Sequence, residues 1–343
     1  MKRIHATLVL IFLAGILFAQ DPSLHYDSNY VRSYSDKLTT RLYLSQKYTL
    51  FGIEAPKGIK EAQYRPNTTV NLGAGVTYKA FTLNLAYGFG FLNTDKSKGN
   101  TKYLDLQSHI YGLKWRFDFF GQFYRGYYLY PRGYASTNSK EFYLRPDLRV
   151  QEIGLHAYHM YNNRKHSYRS SYVQNEWQQR SSGTFVLGGA IALGNVTADS
   201  AFIPSTLRNY FQQSSVNGVR YIEFGPGAGY SYTLVFKKNW FLNASATLNL
   251  NMGITKEFLS GPSQNTLHFS PNLLFRTAFG YNSSDWNVNM SWVTNRTSIE
   301  GRYNNGGYHV SSGNYRFTIA RRYEPGPKTK RFLRKVDAIF DRK

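Results

Sequence analysis

The stretch F-L-N-A-S-A-T-L-N-L-N-M, Phe241 to Met252, alternates without a break. Asn243, Ser245, Thr247, Asn249 and Asn251 share one parity; Leu242, Ala244, Ala246, Leu248, Leu250 and Met252 share the other. Successive side chains of a β-strand point to opposite faces, so this segment is a ribbon wet on one side and apolar on the other. A strand of a soluble sandwich has the same pattern. Repetition favours a different reading: many segments carry the alternation, and most are about as long as the ~9 to 11 residues a tilted strand needs to cross a bilayer.

Turn residues and alternation together mark the candidate strands. They are Leu38 to Ile53, Thr68 to Tyr78, Phe81 to Leu92, Lys102 to Tyr111, Lys114 to Tyr130, Arg149 to Tyr161, Gly183 to Asn195, Val219 to Phe236, Trp240 to Phe258, Thr266 to Tyr281, Trp286 to Ile299 and Gly307 to Arg322. The fold expected is all-β, an antiparallel transmembrane β-barrel of about twelve strands within a range of about ten to fourteen, with short periplasmic turns and longer extracellular loops. With the amino terminus in the periplasm, Lys79-Ala80, Gly112-Leu113, Lys237 to Asn239 and Asn282 to Asp285 are the short turns. Glu54 to Asn67, Asn93 to Thr101, Pro131 to Leu148 and Val196 to Gly218 are the long outward loops. Asn162 to Ser182 breaks the rhythm, being long where a turn should be short. It is either an extra strand or a segment folded into the lumen or along the periplasmic rim.

Residues 1–19 read as a signal peptide: Lys2 and Arg3, then an apolar run from Ala6 to Phe18 too short for a membrane helix, then Ala19. The remainder divides into an N-terminal periplasmic segment at 20–37, the barrel at 38–323 and a basic tail at 324–343. Composition agrees, with 29 Tyr and 24 Phe against only 18% charged residues, because aromatic rings favour membrane interfaces. A chain without cysteine has no disulfide framework and no thiolate metal site. The formal charge of +22 would suit nucleic acid in a cytoplasmic protein, but an exported chain excludes that partner. The cationic excess belongs to loops and lumen walls, or to contact with phosphorylated lipid headgroups or an anionic solute.

Parity assigns faces. Phe81, Leu83, Leu85, Tyr87, Phe89 and Phe91 face lipid, as do Val70, Leu72, Ala74, Val76 and Tyr78, and also Trp286, Val288, Met290 and Trp292. Arg116, Asp118, Glu152, His156, Arg276 and Arg316 face the lumen, together with Asn243 and Asn249. Charges so placed either pair with one another inside a narrow pore or select a solute. Tyr315, Phe317, Ile319 and Tyr323 form an aromatic final strand that resembles the signal read by the outer-membrane assembly machinery. Pro325 and Pro327 end that strand, and the basic tail beyond them is either a short amphipathic helix or an unstructured extension.

Several strings carry the family resemblance: Y-V-R-S-Y-S-D-K-L-T-T at Tyr30 to Thr40, Y-R-P-N-T-T at Tyr64 to Thr69, L-N-L-A-Y-G-F-G-F-L at Leu83 to Leu92, K-Y-L-D-L-Q at Lys102 to Gln107, G-Q-F-Y-R-G-Y-Y at Gly121 to Tyr128, and Tyr172 to Gly189. The chain resembles domain of unknown function 4421, an uncharacterised family of Bacteroidota secreted proteins. The resemblance implies a Gram-negative outer-membrane setting and no activity.

Other strings carry less. F-G-P-G-A-G-Y at Phe224 to Tyr230 is followed by no helix pattern, so its glycines belong to a strand rather than a nucleotide loop. Asp199-Ser200-Ala201, in an outward loop, resembles the O-glycosylation tripeptide of Bacteroidota and makes Ser200 a candidate acceptor. His309-Val310-Ser311 puts a base and a hydroxyl on one strand face, resembling the pair of outer-membrane phospholipases and lipid A deacylases but without their orienting residue. His156 and His159 fall on opposite faces, so no metal site is expected, and no cofactor. The expected function is an integral outer-membrane barrel, either a narrow channel or a structural and envelope-interaction protein. Its partners would be outer-membrane lipids, including lipopolysaccharide, and the assembly machinery, with the chain a monomer. The alternatives are a lipid-modifying esterase or deacylase built on His309 and Ser311, and a soluble periplasmic β-sandwich.

Overall fold

The computed structural model describes residues 26–79, 81–93, 95–259, 263–303, 306–331 and 333. The expected signal peptide and the larger part of the basic tail lie outside the described residues, although 327–331 begin a helix at the second proline, Pro327. Fifteen strands are present among the described residues: β1 Val31–Ser33, β2 Leu38–Ile53, β3 Ala62–Arg65, β4 Asn71–Tyr78, β5 Phe81–Gly88, β6 Lys102–Tyr111, β7 Trp115–Tyr130, β8 Leu144–Met160, β9 Glu176–Gln178, β10 Ser182–Thr197, β11 Val216–Phe236, β12 Trp240–Leu259, β13 Gln264–Asn282, β14 Trp286–Ile299 and β15 Tyr308–Tyr323. One short helix, α1 Tyr168–Tyr172, precedes β9.

Each of the twelve strands expected from alternation is here, but the ring does not close through all twelve. Ten strands make the closed antiparallel circuit: β2, β3, β7, β8 and β10 to β15. β15 returns to β2 along its whole length, from Tyr308 opposite Ile53 to Tyr323 opposite Leu38. The link between β2 and β7 is β3, four residues inside the connection taken from sequence as the outward loop Glu54 to Asn67. Alternation needs more than four residues to declare itself, and β3 offers Ala62 and Tyr64 alone as an apolar row. The hairpin β4–β5 hangs from the first half of β2, and among the described residues β6 pairs only with β7.

Burial is inverted relative to a water-soluble protein. On β12, Asn243, Thr247, Asn249 and Asn251 are at most 1% exposed, while Leu242, Leu248 and Leu250 are exposed by 41%, 49% and 64%. The same inversion runs round the ring, through Phe185 and Leu187 on β10, Phe224 and Leu234 on β11, Leu267 and Phe269 on β13, and Phe317 and Ile319 on β15. So large an apolar exterior has no stable place in water. Large aromatics gather at the ends of the strands joined by short turns: Trp115, Tyr161, Trp240, Tyr281, Trp286 and Tyr323 are all exposed there. Such a girdle suits rings seated where hydrocarbon meets headgroups. The sandwich alternative fails on both counts, since the sheet is a closed ring and its polar face is the inner one.

Candidate functional site

At the short-turn end, where β2 begins and β15 ends, the lumen is filled by the connection from β8 to β10. This is the stretch that broke the turn rhythm, and it folds inward. Ser167 caps α1 by accepting from the Ser170 amide at 3.0 Å, which aims two tyrosines of the helix into the barrel. Tyr168 Oη is 2.8 Å from Ser245 Oγ on β12, and the Tyr172 hydroxyl donates to Asn243 Oδ1 at 2.8 Å. β9 then pairs with β1, so the N-terminal segment adds a second layer across the same end. Arg322 of β15 clamps the layer: its guanidinium donates to the Gln174 carbonyl at 2.9 Å and the Glu176 carbonyl at 3.1 Å, and lies 4.7 Å over the Tyr34 ring.

His166 shares this plug. Nε2 lies 3.1 Å from Ser231 Oγ and Nδ1 lies 3.1 Å from the Ser182 carbonyl oxygen, so the neutral imidazole accepts from the serine and donates to the carbonyl. Burial pushes its pKa down to about 4, because no carboxylate compensates a charge there.

Above the plug sits a buried ion cluster. Asp118 receives Arg276, Arg116 and His109: an Arg276–Asp118 bridge, Arg116 Nε at 3.3 Å and His109 Nδ1 at 2.7 Å. Arg116 also donates to Tyr168 Oη at 3.1 Å and lies 4.7 Å over Tyr158, whose hydroxyl donates to Asn249 Oδ1 at 2.6 Å. Four of the lumen residues read from parity, Arg116, Asp118, Arg276 and Asn249, therefore meet in one network. His156 is buried nearby, its ring 5.1 Å from that of Phe120 and tilted to it by 56°. Glu152 stands higher in the lumen and accepts from the Tyr221 hydroxyl at 2.8 Å.

The long-loop end is shut by apolar side chains. Phe202, Ile203 and Phe211, from the connection between β10 and β11, are buried against Phe51, Tyr64, Leu129, Val219 and Tyr308 of the strands. Phe202 meets Phe51 edge-on at 5.1 Å, and Tyr64 donates to the Phe202 carbonyl. Arg145 braces the loop by donating to the Ala201 carbonyl at 2.8 Å and the Ser200 carbonyl at 3.1 Å. The Ser200 residue itself remains exposed.

Between plug and lid lies a polar cavity of about 550 Å³. Arg41 and Lys47 of β2 and Arg316 of β15 project into it, as do Asn84 of β5 and Gln107 of β6. Lys47 bridges the space to Asp105 at 3.1 Å. Arg41, only 3% exposed, donates to Asn84 Oδ1 at 3.1 Å and to the Val173 carbonyl at 2.7 Å, while Arg316 lies 3.9 Å over the Tyr43 ring. Arg316 was legible from parity; Arg41, Lys47, Asp105 and Arg322 were not singled out, although Arg41 and Lys47 share the inward parity of Tyr43 and Ser45.

His309 and Ser311 occupy the outward parity of β15, near the long-loop rim. His309 is 1% exposed, its ring lying flat over Gly52, where any Cβ would fall 2.0 Å from His309 Cε1. Its Nδ1 sits 3.2 Å from Arg296 Nη2, an obligate donor. The imidazole proton is therefore on Nε2, leaving no free basic nitrogen to take one from Ser311, and the orienting acid of a catalytic pair is replaced by a cation. Tyr315, Phe317, Ile319 and Tyr323 all point outward from β15. Among the described residues no cluster of His, Cys, Asp and Glu is arranged to hold a metal ion.

A family model described as a domain of unknown function (DUF4421) matches residues 25–323. No curated protein matches the sequence. Among solved structures, the outer membrane protease OmpT from Escherichia coli is similar at 8% identity and a TM-score of 0.40, over 85% of this chain and 98% of that one. The toluene transporter TodX of P. putida is similar at 9% identity and a TM-score of 0.25, over 84% and 90%. Ail of Yersinia pestis is similar at 9% identity and a TM-score of 0.20, over 83% and 98%. At these identities and scores no role passes from those proteins to this chain.

Proposed function

This chain belongs to the family described as a domain of unknown function (DUF4421), and from its geometry we propose an integral outer-membrane β-barrel whose two mouths are both closed at rest, serving an envelope-interaction role rather than steady conduction. One observation carries the proposal: along the short-turn half of the ring strands the inward residues are polar and buried and the outward ones apolar and exposed, which is stable only with hydrocarbon outside. A signal peptide at 1–19, a Gram-negative envelope of the Bacteroidota type and insertion by the assembly machinery through Tyr315, Phe317, Ile319 and Tyr323 complete the reading. The plug and the Phe202 lid argue against a standing pore.

The test has two arms. In carbonate-washed membranes the protein should stay with the pellet and migrate faster unboiled than boiled; release by carbonate and indifference to boiling would overturn the barrel. In planar bilayers the same preparation should show no steady conductance. A stable open-pore current would overturn the closed state while leaving the barrel intact.

A further inference from the structure

In the short-turn half of the barrel the wall is not continuous among the described residues. Among the described residues β5 hydrogen-bonds to β4 alone, and β6 to β7 alone. The two free edges flank one opening, because Thr82, Leu83 and Asn84 from β5 and Leu106, Gln107 and Ser108 from β6 line the same cavity. Accessibility records the breach. Asn84 and Ala86, on the inner face of β5, are exposed, whereas Asn249 on the inner face of the closed wall is 1% exposed.

An open sheet edge in hydrocarbon leaves backbone N–H and C=O groups unpaired at a cost of several kcal/mol each, so lipid tails alone cannot border it. Something with polar atoms must. The doorway is also two-sided in character: Leu83, Leu85, Leu104 and Leu106 stand exposed on its outer rim, while its inner side opens onto Arg41, Lys47 and Arg316. Against these three cations the lining carries the single carboxylate Asp105, already held by Lys47 and by the Tyr124 hydroxyl at 2.7 Å. Arg41 Nε and Arg316 Nε are buried donors without a partner among the described residues.

We propose that this seam admits one phospholipid from the periplasmic leaflet, its phosphate taken by Arg41 and Arg316 in the cavity and an acyl chain lying through the gap between β5 and β6. The headgroup supplies acceptors to the orphaned guanidinium N–H groups and the bordering backbone. The chain supplies the apolar contact that the leucine rim lacks. A volume near 550 Å³ is within the range of sites that enclose a small ligand. The proposal rests on the membrane-embedded reading above.

The chain has no cysteine, so Ala86→Cys carries a single bimane label at the lumen side of the seam. The full-length folded protein in maltoside micelles is titrated with dodecyl phosphate and, separately, with inorganic phosphate. The expected result is a saturable blue shift with dodecyl phosphate and none with inorganic phosphate at a hundredfold higher concentration. Arg316→Gln should weaken the response about tenfold, the loss of one charge-assisted hydrogen bond; Arg316→Lys should recover part of it. Retention of the heat-modifiable band shows that each variant is folded. No shift in the folded protein, equal responses to the two phosphates, or an unchanged midpoint in both Arg316 variants would each overturn the proposal. If the protein is not heat-modifiable at all, the barrel reading falls instead, so the two failures are distinguishable.

Discussion

The hydroxyl of Tyr168 stands 2.8 Å from Ser245 Oγ, 77 positions along the chain, and this contact fastens the short-turn-end plug to the inner face of the barrel wall. Tyr172 repeats it two residues further down β12, at Asn243. These hydroxyls are two among several side chains that fasten the plug to the wall, and each can be removed without touching the strand backbone.

Removing both hydroxyls should loosen the plug. Tyr168→Phe also gives up the Arg116 bond, so with about 1 kcal/mol for each of the hydrogen bonds lost, the combination with Tyr172→Phe should raise the open population by roughly a hundredfold. Arg164 and Lys165 are exposed at the base of the segment, so the expected readout is faster trypsin cleavage there with the strand core still protected. An unchanged cleavage rate would show that the remaining contacts, those of β9, Arg322, His166 and Arg41, suffice to hold the plug.

Docking of the plug should weaken in acid through His166. Its docked pKa is depressed to about 4, so the docked form resists a proton that the released form accepts near 6.5. The contribution is therefore complete above pH 6.5 and is lost as pH falls toward 4, by at most about 3 kcal/mol over that interval. Trypsin is unsuited to that range; hydrogen exchange of 162–182 between pH 7 and 4.5 should show the rise, and His166→Asn should flatten it.

Asp118→Asn strips the charge that two buried arginines share. Leaving Arg276 and Arg116 unpaired in a closed interior should cost about 3 to 5 kcal/mol, seen as a lower temperature for loss of the heat-modifiable band. A cost under about 1 kcal/mol would mean that water reaches the cluster.

Leu250 and Asn249 provide the sharpest contrast between lipid and water outside. Leu250 is 64% exposed in the middle of β12, where a soluble protein would tolerate a charge. In a bilayer, Leu250→Arg should destabilise by about 2 to 4 kcal/mol in urea unfolding from vesicles. Asn249→Leu should cost about 1 to 3 kcal/mol by orphaning the Tyr158 hydroxyl. A neutral Leu250→Arg would contradict lipid contact at that face.

How much of this was legible follows from the kind of signal each part carries. A long strand with unlike environments on its two faces writes its fold into residue parity, and parity alone directs Asn243, Asn249, Arg116, Asp118 and Arg276 inward, where all five are buried. Parity gives direction only. It could not say that Arg276 of β13 reaches Asp118 of β7, because ring order and stagger decide which inward residues meet. Nor could it weigh His309, whose neighbour Arg296 lies on another strand and fixes the tautomer.

Twelve amphipathic strands, their turn rhythm and their inner and outer faces are written in residue parity, since these are local consequences of a period of two. Where the ring closes is a matter of long-range pairing. The four residues of β3 complete the circuit, the odd segment at 162–182 turns inward as a plug, and β5 and β6 are left facing each other unpaired. Those outcomes depend on hydrogen bonds between residues far apart in the chain, and strand pairing leaves no mark in the alternation of either partner.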